Sequence, residues 1–232
     1  MKRYILSLLA LIAALSVQAQ AFRVDDPIGT TLHYGYVDKK GKPIREATFT
    51  LVSKSSGEQG TVLNILMESM VDGVLAQADL KMTYTADDII LDRSFLMSNT
   101  IVEQGQKYKD AKIDASGDNP TIPINMKIGD VFPNYKLFLR VVGPNVVVAT
   151  TASTTSRKIT GKEEITIPAG IFEAFVLEED VFSTVNIMGI NINATGKGTS
   201  WVVPGMGIVK QNNANQKGKS TGGCQLIKIV KP

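Results

Sequence analysis

The feature that most constrains this chain is a two-residue alternation of apolar and polar side chains, in short runs separated by turn residues. In the first run Leu32, Tyr34 and Tyr36 share one parity, and in the second Phe49 and Leu51 alternate with threonines. Successive side chains of a β-strand point to opposite faces. The pattern therefore predicts antiparallel strands with one buried face each.

The same alternation continues to the end of the chain and predicts ten or eleven strands with short loops, one of them spanning 182–194. Two stretches, 107–123 and 212–223, are rich in polar and turn residues and are predicted to be connections. No change of composition marks a linker. The predicted fold class is mainly β, α+β at most: a single strongly curved antiparallel sheet with one short helix.

The helix is predicted where the alternation fails. An acidic pair, Asp87 and Asp88, precedes a run of apolar residues near helical spacing. Acidic side chains stabilise the positive end of a helix dipole, so we expect the helix to begin at this pair. Its apolar face would contain Ile89, Ile90, Phe95, Leu96 and Met97.

Residues 1–21 predict a signal peptide. Lys2 and Arg3 form a basic start, residues 5–17 are apolar, and small residues allow cleavage after Ala19 or after Ala21. An uncleaved anchor is the disfavoured alternative, because no basic stop-transfer follows. No later segment reaches the roughly 20 apolar residues of a membrane helix. We expect residues 22–232 to form one soluble domain in the periplasm or outside the cell, with no integral membrane segment.

Charge and composition exclude several classes of protein. The chain has 25 Lys and Arg and 22 Asp and Glu, and removal of Lys2 and Arg3 with the leader leaves 23 against 22. A nearly neutral protein has no electrostatic footprint for nucleic acid. A single histidine and a single cysteine, Cys224, exclude a multi-histidine or cysteine-rich metal centre, and no cofactor is expected. Because no cysteine lies near the cleavage site, a lipoprotein is not expected.

The sequence also contains patterns that resemble catalytic motifs. Residues 218–222 (GKSTG) match the spacing of a nucleophile elbow, but a polar loop precedes them and no histidine follows. Two acidic pairs, Glu163–Glu164 and Glu178–Glu179, could suggest paired carboxylates. Adjacent strand residues point to opposite faces, so solvated strand faces are expected instead. We expect no catalytic residue and no enzymatic activity.

Three segments carry a resemblance to a known family: 128–133 (IGDVFP), 160–172 (TGKEEITIPAGIF) and 201–210 (WVVPGMGIVK). In this order and spacing they resemble a TapB-like family of secreted or periplasmic proteins of the Bacteroides group, a domain of unknown function. The resemblance implies a curved, open β-barrel similar to the lipoprotein-carrier half-barrels, which hold acyl chains against a bent sheet. The matching segments have the residues of turns, so no binding residue is carried over.

A strongly curved sheet can enclose an apolar cavity. We therefore expect a non-enzymatic protein that binds an apolar or amphiphilic ligand, a lipid or a lipoprotein acyl chain, on the concave face. Face and residue type select seven lining residues: Leu80, Met82, Tyr84, Phe95, Met97, Met188 and Ile190. The alternative is a structural or interaction protein of the cell envelope, with a filled core, an envelope protein as its partner and no ligand.

Overall fold

The computed structural model describes residues 21–71, 73–93, 112–143, 146–187 and 189–232, which form one antiparallel sheet of thirteen strands. The strands are β1 (Thr31–Val37), β2 (Pro43–Gly57), β3 (Gly60–Val71), β4 (Val74–Tyr84), β5 (Asp88–Leu91), β6 (Lys112–Gly117), β7 (Thr121–Pro123), β8 (Tyr135–Gly143), β9 (Val146–Ile167), β10 (Gly170–Ile187), β11 (Ile190–Val203), β12 (Gly207–Asn215) and β13 (Ser220–Val230). Their order in the sheet is β6-β8-β9-β10-β11-β12-β13-β1-β2-β3-β4-β5-β7. The predicted class, a single mainly-β antiparallel sheet, is confirmed.

The sheet curls until its two edge strands approach each other. Strands β6 and β7 are the edges, yet only residues 118–120 separate them along the chain. The four Cα–Cα steps from Gly117 to Thr121 span at most about 15 Å. Beyond the end of β5, Arg93 donates a hydrogen bond from Nη1 to the Gly117 carbonyl at 3.3 Å. The sheet is therefore curled but not closed into a barrel.

The two ends of the curled sheet differ, and the lower end is closed. We call the end with the β2–β3 and β9–β10 turns the lower end, and the end with the β3–β4 and β10–β11 turns the upper end. At the lower end Ala21 bridges to Gly207, and Phe22 is fully buried. The Tyr84 hydroxyl donates to the carbonyl oxygens of Phe22 and Met206. The N-terminal segment thus seals the interior between β4 and the turn before β12.

The hydrophobic core lies on the concave face. Tyr34 and Phe49 meet edge to face on neighbouring strands, with ring centroids 5.6 Å apart. Both are fully buried, as the alternation in β1 and β2 predicts. Other large, fully buried side chains are Phe22, Leu32, Leu51, Leu63, Ile65, Met67 and Leu80. Each contributes about 1.5–3 kcal/mol by burial.

The predicted start of the helix is wrong. Ile89 and Ile90 lie in β5, which pairs with β4 on one side and β7 on the other. Ladder hydrogen bonds to two neighbours outweigh the weak helical spacing of a few apolar residues. Arg93 is helical, and 94–111 lie outside the described residues, so the rest of the helix stays a prediction. Within the described ranges, no helix has the length and hydropathy to cross a membrane.

Several strand boundaries also differ from the prediction. The expected connection at 107–123 contains β6 and β7, and the expected loop at 212–223 shortens to the turn at 216–219. The run 182–194 is two strands, separated by a turn in which Gly189 has a φ of 90°. Conversely, β9 runs without interruption for 22 residues, much longer than the short runs that the sequence predicts. A glycine with positive φ allows a tight hairpin without other turn residues.

Candidate functional site

A β-bulge in the long hairpin of β9 and β10 turns two charged side chains into the interior. Glu178 pairs with Lys158 and Asp180 with Thr155, so Glu179 opposes two residues of β9. One of these two, Ser156, has a φ of 55°. An extra residue shifts the parity of a strand, because side chains alternate between its faces. As a result Arg157 and Glu179 are both buried, and the expectation that Glu179 lies on a solvated face is wrong.

Arg157 holds the curled sheet together from inside. Its Nε lies 3.4 Å from Oε2 of Glu179 on β10. Nη1 donates to the Pro133 carbonyl at 2.8 Å, and Nη2 donates to the Thr121 carbonyl at 3.3 Å. Thr121 belongs to β7, the edge strand opposite to the β6 side of the sheet. The guanidinium therefore links β9 and β10 with the far edge.

Two aromatic rings complete the environment of Arg157. The guanidinium carbon lies 5.4 Å from the centroid of Phe132 and 5.0 Å from that of Tyr135. Arginine over an aromatic face contributes about 2 kcal/mol when it is desolvated. Burial, with the nearby Glu179 carboxylate, raises the pKa of Tyr135, so its hydroxyl stays neutral. The rings shield the ion pair from water.

The buried charge of Glu179 is only partly compensated by Arg157. Burial raises the pKa of Glu179, and the nearby Arg157 opposes this without cancelling it. Oε2 faces Arg157, whereas Oε1 is buried with no hydrogen-bond partner. The side chain lies over Gly198, where a Cβ would be 3.0 Å from both Cγ and Oε1 of Glu179. Because residue 198 is a glycine, the Glu179 side chain has room to lie over the backbone of β11.

The raised pKa of Glu179 predicts a specific pH dependence of stability. Between the ordinary value of 4.5 and the raised value, the folded state binds more protons than the unfolded state. The contribution of this group therefore falls as pH rises through that window, and Glu179→Gln removes it. Urea unfolding at several pH values between 4 and 8 should show that the variant gains stability relative to wild type as pH rises. A constant difference between the two proteins contradicts the burial of the carboxylate.

Two further polar side chains adjoin Glu179 on the concave face. Gly198 pairs with Glu179, and Ser200 lies two residues further along β11 on the same face. Ser200 pairs with Gln211 on β12. Ser200 Oγ and Gln211 Nε2 are buried without a hydrogen-bond partner, as is Glu179 Oε1. We call Glu179, Ser200 and Gln211 the deep polar cluster; each unpartnered atom costs about 1–3 kcal/mol.

An apolar strip leads from this cluster to the upper end of the sheet. Along the inner face of β11 the residues become more exposed towards the turn, from buried Ser200 and Gly198 to Ile190 at 69%. We call the partly exposed strip the upper trough; it consists of Ile187, Ile190, Ile192, Ala194 and Gly196. On β11 the inner-face side chains become smaller with distance from the turn, in the order Ile190, Ile192, Ala194 and Gly196.

Near the tip of the same hairpin the convex face is polar, whereas Phe182, further from the tip, is 46% exposed on that face. Thr184 Oγ1 donates to Asn193 Oδ1 at 2.9 Å, and Asn186 Nδ2 donates to Asn191 Oδ1 at 2.6 Å. Cross-strand polar pairs of this kind stabilise the hairpin from the side that faces water. The two faces of the hairpin tip therefore differ in polarity, and neither face is fully covered there.

The structure places the sequence-predicted lining residues in two different regions. Leu80, Met82 and Tyr84 share the inner face of β4 and are buried in the core, whereas Ile190 lies at the exposed end of the trough. The remaining three, Phe95, Met97 and Met188, lie outside the residues whose side chains are described.

Sequence reasoning missed the deep polar cluster and most of the trough. A signal for the trough was present: between 190 and 198 the chain alternates Ile-Asn-Ile-Asn-Ala-Thr-Gly-Lys-Gly. Every second residue is apolar or small, which is the pattern of an inner face that tapers in size. For Ser200 and Gln211 no such signal exists, because polar residues lie on solvated faces by default.

The fold and the site define a class: an exceptionally large antiparallel sheet that curls around its own core, with an apolar trough at one end. Residues 28–226 match the DUF3108-like family model, and the chain belongs to this family. The resemblance to a family of unknown function is confirmed. No curated protein matches the sequence.

Two solved structures are similar over nearly the whole chain. One is a proposed exported protein with a YmcC-like fold from Bacteroides fragilis NCTC 9343, with a TM-score of 0.71 and 16% identity, covering 92% of this chain and 100% of that chain. The other is a proposed lipoprotein from Parabacteroides distasonis ATCC 8503, with a TM-score of 0.69 and 15% identity, covering 92% of this chain and 99% of that chain. At these identities the likeness shows the shared fold.

Proposed function

We propose that this protein is an exported, non-enzymatic binding protein of the cell envelope that takes a lipid or a lipoprotein acyl chain in the upper trough. The observation that carries the proposal is the exposure of Ile190, 69%, on the concave face of a hairpin tip whose convex face carries polar cross-strand pairs. Covering apolar surface yields about 25 cal/mol per Å². An acyl chain in the trough would supply that cover.

The trough suits such a ligand better than the lower interior does. Leu80 and Met82 are already buried against other core side chains, so a ligand there would cover no further apolar surface. From Ile190 to Gly198 the inner face of β11 extends about 26 Å. One acyl chain spans half of the roughly 30 Å hydrocarbon core of a bilayer. The trough is therefore long enough for a single chain.

Replacement of Ile190 by aspartate is expected to weaken the binding of palmitate to the delipidated protein about tenfold or more, because burial of one isoleucine contributes about 1.5–3 kcal/mol. The matched control is Ile171→Asp: Ile171 is 66% exposed but lies at the lower end of β10. Titration monitored by native mass spectrometry should show normal binding for the control. Equal affinities of the two variants, or a wild type that binds neither palmitate nor its uncharged monoglyceride, would count against the trough.

The filled lower interior favours a second function, a structural or interaction protein of the envelope without a ligand. Phe49 and Met82 are fully buried, as expected if the sheet is stabilised by its own side chains alone. Native mass spectrometry of protein purified from its own envelope separates the two functions. Additional mass that travels with the protein supports ligand binding. Protein without additional mass that also rejects fatty acids and acylated peptides supports the second function.

Export implies removal of the leader, and the fold distinguishes the two cleavage positions. Ala21 bridges to Gly207, and Phe22 is buried. Cleavage after Ala21 would place a charged amino group on buried Phe22, which is costly. We therefore expect cleavage after Ala19, with no lipid anchor because the one cysteine is Cys224. N-terminal sequencing should find Gln20; a start at Phe22 contradicts this choice, and a start at Met1 contradicts export.

A further inference from the structure

We propose that the deep polar cluster binds the polar end of the ligand, and that this end is uncharged and carries hydroxyl or amide groups. This inference rests on the proposed function and names the class of head group that the same site would select. Three unpartnered polar atoms belong to Glu179, Ser200 and Gln211, on three consecutive strands, where Ser200 pairs with Gln211 and is the diagonal neighbour of Glu179.

The position of the cluster sets the orientation of the ligand. Along the inner face of β10, Glu179 is followed towards the upper end by Val181, Ser183, Val185 and Ile187. On β11 the corresponding run goes from Gly198 to Ile190. The polar end would therefore lie deep, at the lower limit of the trough, and the acyl chain would run upwards along the isoleucines to the open end.

The three free atoms have complementary hydrogen-bonding roles. An amide NH₂ such as that of Gln211 only donates, a carboxylate oxygen of Glu179 accepts, and the hydroxyl of Ser200 does both. A ligand group with both donors and acceptors satisfies all three. Each hydrogen bond regained by a buried group changes affinity about tenfold. A diol or an amide meets this requirement.

Charged head groups fit the cluster poorly. An anion would face the Glu179 carboxylate, and the nearest buried cation, Arg157, is already bound to Glu179, Pro133 and Thr121. A cationic head group would be a second buried cation beside one carboxylate. Because desolvation of an ion is compensated only by a well-matched partner, both charge types are disfavoured.

The test compares three ligands with matched hydrocarbon chains on the delipidated full protein: 1-monopalmitoylglycerol, palmitate and hexadecylammonium. We expect monopalmitoylglycerol to bind about tenfold more tightly than either charged ligand. Equal or tighter binding of palmitate or hexadecylammonium overturns the inference but leaves the trough as a binding site. If none of the three binds, the proposed function fails and the inference fails with it.

Three variants connect the preference to the cluster. Ser200→Ala and Gln211→Leu should each weaken monopalmitoylglycerol about tenfold and leave palmitate unchanged. Glu179→Gln should reduce the discrimination against palmitate. Thr199→Ala, on the opposite face of the same strand, is the control and should change neither affinity. A uniform loss for both ligands, or no loss in any of the three cluster variants, contradicts the assignment; circular dichroism confirms that each variant is folded.

Discussion

Replacement of Arg157 by methionine is expected to lower the free energy of unfolding by about 3–5 kcal/mol, the usual cost of breaking a buried ion pair. The variant leaves Glu179 buried without its partner and removes two hydrogen bonds, to the carbonyl oxygens of Pro133 and Thr121. The bond to Thr121 joins β9 to the far edge of the sheet, so its loss also loosens the curl. Urea unfolding followed by circular dichroism measures the effect.

A second ion pair on the same hairpin provides the control. Lys162 and Glu173 approach to 2.7 Å across β9 and β10, but both side chains are exposed. An exposed pair contributes about 0–1 kcal/mol, so Lys162→Met should change stability little. Adding Glu179→Gln to Arg157→Met should restore part of the loss, because the uncompensated carboxylate is removed. Equal effects of the two methionine variants would contradict the central role of Arg157.

Replacement of Phe22 by alanine is expected to lower the free energy of unfolding by about 3–5 kcal/mol, as for other fully buried aromatic residues. Phe22 fills the lower end of the interior, and its carbonyl accepts a hydrogen bond from Tyr84. The cavity would weaken the seal between β4 and the turn before β12. Hydrogen exchange should then show faster exchange of the amides of Gly205 and Met206 in that turn.

The control for Phe22 lies in the same segment. Val24 is 41% exposed, so Val24→Ala removes little buried surface. Substitutions at exposed positions away from special features usually change stability by about 0.5 kcal/mol or less. Similar denaturation midpoints for the two variants would show that the N-terminal segment does not seal the lower end.

The sequence predicts the fold class well because most strands contain a run in which buried and exposed side chains alternate. In β1 and β2 the alternation assigns Leu32, Tyr34, Phe49 and Leu51 to the concave face, and all four are buried there. A single solvated face and a single buried face leave only one register for the side chains. The alternation indicates the curvature of the sheet less clearly, and the family resemblance is its main support in the sequence.

The longest strands are the part that alternation alone does not predict. In β9 the buried positions are even-numbered up to Thr154 and odd-numbered from Arg157. From the sequence this change of phase looks like a break between two strands, whereas it is a bulge within one. A buried arginine is also unexpected, because charged residues are almost never fully buried unless paired. Its partner, Glu179, comes 22 residues later, and no local pattern relates the two.

The residues that line the candidate site are also not predicted by alternation alone. Choosing lining residues by face and type selects Leu80 and Met82, which the structure places in the filled core. Whether an inner-face residue packs against its own chain or remains accessible depends on what lies opposite across the curled sheet. That arrangement is a property of the whole sheet, and Ile190 is exposed because its hairpin extends towards the upper end.

The interior of the curled sheet is sealed at the lower end, and the ligand is proposed to bind in the upper trough. The most direct measurement is paramagnetic broadening of backbone amide signals by a spin-labelled palmitate added to the isotope-labelled, delipidated protein. We expect broadening along 181–187 and 190–198 in β10 and β11, and sharp signals for Leu80 and Met82 in β4. Broadening concentrated at the lower end of β4, or spread over the convex face, would contradict the account.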